Sequence, residues 1–86
     1  MSTKLYVSNL PLSATAETLI TRFCKFGCVL SVAFEPLAVI SRRAAFVEMD
    51  SNSGAQAAIA ALNLSDLDGR RISVFLALSI VKQRVS

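Results

Sequence analysis

Two segments of the chain alternate apolar and polar residues, and each alternation predicts a half-buried strand. The first covers residues 4–8, where apolar side chains take one phase and Tyr6 takes the other. The second covers residues 43–49, where Phe46 takes the outward phase. We therefore predict that an aromatic ring stands on the outer face of each strand, with basic residues close by.

Two further segments repeat apolar residues at helical spacing. The first helix is expected to be capped by Ser13 or Thr15 together with Glu17, and to end at Gly27. Its predicted buried stripe consists of Leu19, Ile20, Phe23 and Phe26. The second helix is rich in alanine and is predicted over residues 54–62.

Alternation predicts two more strands, over residues 29–35 and 72–78. The last strand follows a turn signal at residues 68–69, and its expected outward positions are Ser73, Phe75 and Ala77. The order is therefore strand, helix, strand, strand, helix, strand. Two such βαβ units build an α+β, ferredoxin-like βαββαβ sandwich, in which two helices back a four-stranded antiparallel sheet.

The length of 86 residues predicts one domain over residues 1–86, with a core at about 4–78 and a tail at 79–86. The composition is 53% hydrophobic, so some apolar side chains must lie on the surface. No apolar run approaches the roughly 18 residues of a membrane span. We therefore expect a cytoplasmic protein with no membrane partner.

The net charge and the reactive residues limit the classes of function that the chain can have. A net charge of +3 is compatible with nucleic acid, although solvated surface charges explain it equally well. With two cysteines and no histidine, the chain lacks a full zinc ligand set and the usual general base. We predict no enzyme and no cofactor. Cys24 and Cys28 are interpreted as reduced thiols, with a redox-sensitive pair as the alternative.

Two short motifs resemble those of the RNA recognition motif (RRM) family. Residues 5–10 match its hexapeptide (aliphatic, aromatic, aliphatic, any, Asn, Leu) at every position. Residues 42–49 match its octapeptide in part, with departures at Arg43, Ala44 and Met49. The resemblance extends over about residues 4–78 and includes short, single-domain bacterial members of the family. It implies that the first and third strands are central in the sheet.

The resemblance implies a site for single-stranded RNA, or for single-stranded DNA, on the open face of the sheet. Tyr6 and Phe46 are the implied stacking residues. Phe75 is expected either to provide a further ring for a base or to anchor the apolar tail or a partner protein. Ser8 and Ser73 are expected to form hydrogen bonds with the edges of the bases. The expected contacts to the backbone come from Lys4, Arg42, Arg43 and Lys82.

A second hypothesis is a protein-interaction or homodimerisation module on the same fold, with weak or no RNA binding. Ala44 replaces an aromatic residue of the octapeptide, which weakens RNA contact and adds apolar surface. The apolar residues that would form this contact are Leu37, Val39, Ile40, Phe75 and Ile80.

Overall fold

The computed structural model of the protein describes residues 2–34 and 43–77. Its elements are, in chain order, β1 (Thr3–Leu10), α1 (Ala16–Phe23), β2 (Val29–Phe34), β3 (Arg43–Met49), α2 (Asn52–Leu62), β4 (Asp66–Leu67), β5 (Arg70–Arg71) and β6 (Ser73–Leu76). The main strands and helices follow the predicted order. A short hairpin, made of β4 and β5, precedes the last strand.

The four main strands form one antiparallel sheet in the order β2-β3-β1-β6. β1 and β3 are its central strands, and Leu5 lies opposite Val47 in their register. Both helices pack on the same face of this sheet. The predicted α+β, ferredoxin-like fold is thereby confirmed.

The apolar core lies between the sheet and the two helices. Side chains from both layers contribute to it: Leu5, Val7, Ala45, Val47 and Met49 from the central strands, and Leu19, Phe23, Ala55, Ala58 and Leu62 from the helices. Within β1 and β3 the buried residues occupy the alternate positions, as the pleat of a strand requires. The opposite phase is left on the open face.

Three predicted details of the core and the first helix are wrong. Ile20 is 43% exposed, because the buried stripe runs through Leu19 and Phe23 and a step of one residue turns a helix by about 100°. The helix ends at Phe23, before the predicted Gly27. Ala77 is buried rather than outward, because the strand ends at residue 76 and alternation no longer applies.

Each helix begins at a hydroxyl cap. Thr15 accepts a hydrogen bond from the Thr18 N–H at 3.2 Å, and Thr18 supplies the return contact of the capping box in place of the expected Glu17. Ser51 accepts from the Gly54 N–H at 3.1 Å, so α2 begins two residues before its predicted start.

The turn of the β4–β5 hairpin lies at residues 68–69, where the sequence predicted a turn. Asp68 and Gly69 have φ angles of 49° and 87°, the left-handed conformations of a tight hairpin turn. This hairpin brings Arg70 beside the end of β1, where it contacts Asn9.

Candidate nucleic-acid interface

Three aromatic rings lie in one row across the open face of the sheet. Tyr6 on β1 is directly opposite Phe46 on β3 and directly opposite Phe75 on β6. The ring centroids are 5.1 Å apart in the first pair and 5.4 Å apart in the second. Ala33 on β2 takes the fourth position of the row, opposite Phe46.

Neighbouring rings of the row contact each other at an angle and do not stack face to face. The interplanar angles are 56° between Tyr6 and Phe46 and 48° between Tyr6 and Phe75, and both centroid distances lie in the range of favourable aromatic pairs. Tyr6 and Phe46 are half-buried, whereas Phe75 is 40% exposed. The row is therefore fixed by its own contacts and still presents ring surface to solvent.

A charged row runs alongside the rings on the same face. Glu48 lies opposite Lys4 on one side and opposite Ser31 on the other. The hydroxyls of Ser2 and Ser31 donate to its two carboxylate oxygens at 2.6 and 3.2 Å. The pKa of Glu48 lies below its ordinary value. The hydrogen bond from Ser2 is the largest cause, and the hydrogen bond from Ser31 and the nearby Lys4 ammonium lower the pKa further.

Lys4 connects the charged row with the ring row. Its Nζ atom lies 5.9 Å from the centroid of the Phe46 ring. That distance is at the outer limit of a cation–π contact, and the side chain is exposed. A cation is therefore placed at the edge of the ring row, where it can meet an anionic ligand.

Hydroxyl groups lie on the other side of the rings. Ser8 on β1 is opposite Ser73 on β6, and both are half-buried. Ala44 on β3 is also half-buried and contributes no ring there. The open face thus has a central aromatic row, with charged groups on one side and small polar or apolar groups on the other.

Arg43 does not belong to this face. Its Nη1 atom donates to the carbonyl oxygens of Ala14 at 2.8 Å and Leu12 at 3.3 Å. Its guanidinium carbon lies 4.0 Å from the centroid of the Phe34 ring. The predicted contact of Arg43 with the RNA backbone has no support in this geometry, because the side chain takes the inward phase of β3. We assign Arg43 to the packing of the loop between β1 and α1.

Asn9 and Arg70 form a junction that the sequence did not reveal. Asn9 has a φ angle of 64°, and its side-chain amide donates to the Arg71 carbonyl at 2.8 Å. Its Oδ1 atom accepts from Arg70 Nη2, also at 2.8 Å. The only signal was Asn9 itself, since asparagine tolerates the left-handed conformation. The junction attaches the β4–β5 hairpin to the end of β1.

Several residues of the predicted site and of the predicted dimer surface lie outside the described residues. They are Arg42 and Lys82 among the cations, and Leu37, Val39, Ile40 and Ile80 among the apolar residues.

Cys24 and Cys28 are exposed free thiols. Residues 2–34 and 43–77 contain no group of three or more side chains suited to hold a metal ion. No helix within the same ranges has the length and apolar character required to cross a bilayer.

Comparison with known proteins identifies the family. The model of the RNA recognition motif matches residues 5–73, which is most of the chain. The chain therefore belongs to the RNA recognition motif family. Glycine-rich RNA-binding protein 1 of Mycosarcoma maydis is 40% identical over 79 residues, which are 90% of this chain and 45% of that protein. The chain thus spans less than half the length of this curated relative.

Solved structures agree with the family assignment. A crystal structure of RNA-binding protein PG1 is 29% identical, with a TM-score of 0.79, over 88% of this chain and 94% of that chain. A Sxl-lethal protein–RNA complex is 37% identical, with a TM-score of 0.75, over 87% of this chain and 47% of that chain. The third RRM domain of Mip6 shares the fold at 24% identity, with a TM-score of 0.80 over 86% and 90% of the two chains.

Proposed function

We propose that the protein is a non-catalytic module that binds single-stranded RNA on the open face of its sheet. The observation that carries this proposal is the pair of Tyr6 and Phe46, which lie directly opposite each other on the central strands with their rings 5.1 Å apart. Family membership supports RNA as the ligand. So do the RNA-binding name of the curated relative and the RNA present in the Sxl-lethal complex.

The ring pair selects unpaired bases for a physical reason. A base in a duplex already has both its faces covered by stacked neighbours, whereas a single strand can turn its bases onto protein rings. Each base–aromatic stack contributes about 1–3 kcal/mol. Two such stacks give a short site of modest affinity, which tolerates different bases because every base has a π-face.

The ribose–phosphate backbone is held by charge. Lys4 is the described cation at the edge of the ring row, and the chain carries a net charge of +3. For a single strand, the slope of log affinity against log salt changes by about −0.7 for each phosphate neutralised. RNA binding should therefore weaken steeply as salt is added.

The test is a fluorescence-anisotropy titration of a labelled, mixed-sequence RNA at low salt. Tyr6→Ala and Phe46→Ala should each lower the affinity about 5- to 150-fold, because each removes one stack. Ile20→Ala is the matched control, since it also trims an exposed apolar side chain but lies on α1. Circular dichroism establishes that each variant is folded.

Unchanged affinity in both ring variants would contradict the proposal. A DNA strand of the same sequence, titrated in parallel, measures the contribution of the 2′-hydroxyl to recognition.

A further inference from the structure

Phe75 extends the pair of stacking rings into a row of three. It lies opposite Tyr6 in register, and its ring centroid is 5.4 Å from that of Tyr6, close to the 5.1 Å on the other side. We propose that Phe75 is a third base-stacking position, so that the ligand is three consecutive unpaired nucleotides laid across β3, β1 and β6. This inference rests on the proposed function and adds the length and path of its ligand.

The exposure of Phe75 favours a ligand on this ring. Phe75 is 40% exposed, more than the half-buried Tyr6 and Phe46 beside it. Its contact with Tyr6 is tilted by 48°, so the neighbouring ring does not stack flat on it. Covering an exposed apolar ring with a flat partner removes apolar surface from water, which is favourable. A nucleobase is such a partner, and the adjacent ring would hold the previous base of the same strand.

The placement of the described charges leaves the Phe75 end of the row open to a phosphate. The described residues of β6 carry no charge, and Ser73 and Ser8 offer hydroxyls next to the ring. Among the described strand residues, the carboxylate of the open face is that of Glu48, which lies on β3 beside Phe46. Since β1 separates the carboxylate from Phe75, phosphate repulsion is smallest at the β6 end.

The spacing of the rings sets the form of the bound strand. Neighbouring strands of a sheet are about 4.8 Å apart, and the centroids follow that spacing at 5.1 and 5.4 Å. Successive nucleotides in one strand of B-DNA rise by only about 3.4 Å, which is the spacing of stacked bases. The bases must therefore separate from one another to occupy one ring each. Short oligouridylates, whose bases stack weakly on each other, are accordingly suitable probes.

The decisive experiment compares oligouridylates of two, three and four nucleotides as competitors of a longer labelled RNA. In the native protein, the third nucleotide should raise the affinity about 5- to 150-fold. Phe75→Ala should abolish that gain while leaving the dinucleotide affinity within about twofold, because Tyr6 and Phe46 still provide two positions. Phe75→Leu keeps apolar bulk against Tyr6 without a ring, and it should behave like Phe75→Ala.

A direct readout uses the absence of tryptophan from the sequence. In Phe75→Trp the indole is the sole tryptophan, and RNA should quench its emission with the affinity measured by anisotropy. Ile20→Trp places the same fluorophore on α1 and should show no quenching by RNA.

The outcomes separate this inference from the proposed function. If Tyr6→Ala weakens binding while Phe75→Ala binds the trinucleotide as the native protein does, the third position is overturned and the two-ring site stands. If the indole at position 75 is not quenched while RNA binds, the third position is likewise overturned. If all ring variants bind RNA like the native protein, the proposed function itself fails.

Discussion

The two faces of the central strands differ sharply, although alternate residues of the same two strands form them. On the inner face, Leu5 and Val47 are opposite each other and completely buried. On the outer face, at the neighbouring position of each strand, Tyr6 and Phe46 are opposite each other and half-buried. The pleat therefore assigns stability to one phase and ligand contact to the other. Substitutions on the two faces should have separable effects.

The largest effect on stability should come from the inner face. Leu5→Ala removes a fully buried side chain from the central strand and should lower the free energy of unfolding by about 2–5 kcal/mol. Phe46→Ala removes a half-buried ring, whose contact with Tyr6 contributes only about 0.5–1.5 kcal/mol beyond the area it covers. Urea denaturation followed by circular dichroism measures both.

RNA affinity should show the reverse order. Where Leu5→Ala remains folded, it should bind RNA like the native protein, whereas Phe46→Ala should bind weakly. A folded Leu5→Ala protein with an affinity as low as that of Phe46→Ala would show that the two faces are not independent.

The second comparison concerns one cation on each face. Arg43 bonds to the carbonyls of Leu12 and Ala14 and lies over Phe34, whereas Lys4 is exposed beside the rings. Arg43→Met should lower the free energy of unfolding by about 1–3 kcal/mol, because carbonyl acceptors lose a charged donor. It should leave the salt dependence of RNA binding unchanged.

Lys4→Met is the matched control for Arg43→Met. It should change stability little and reduce the steepness of the salt dependence by about 0.7, the value for one lost phosphate contact. Affinity measured over a series of salt concentrations distinguishes the two variants. If Arg43→Met showed a smaller salt slope than the native protein, Arg43 would contact the RNA backbone after all.

Alternation along single strands explains why much of this site could be predicted. Period two gave Tyr6 and Phe46 the outward phase of their strands, and the resemblance to the RNA recognition motif family implied that these two strands lie side by side. The same rule put Arg43 on the inner phase, although its positive charge next to Arg42 suggested a contact with RNA.

The junction between Asn9 and Arg70 could not be predicted in this way. It joins residues 61 positions apart, through a left-handed backbone and a hairpin whose position depends on the finished fold. The exposure of Ile20 was missed for a related reason, since the orientation of a short helix is settled by packing rather than by its own periodicity.

The smallest effect should come from Glu48, an anionic group of the open face. Glu48→Gln removes a negative charge near the path of the phosphates and should raise RNA affinity by about twofold at low salt, with no gain at high salt. The two serine hydroxyls and Lys4 lower the pKa of this carboxyl in the folded protein. Its contribution to stability is therefore present above about pH 4.5, its ordinary value, and is lost as the pH falls through the lowered pKa.

RNA binding should change with pH in the opposite direction, because protonation removes the repulsion of phosphate. Oligouridylate is the appropriate ligand, since uracil does not titrate in this acidic range. Native affinity at low salt should rise as Glu48 becomes protonated, and it should rise more than the affinity of Glu48→Gln does over the same pH range. Parallel pH profiles in the two proteins would show that the carboxylate lies off the path of the RNA, and would move that path toward β6, away from the charged row.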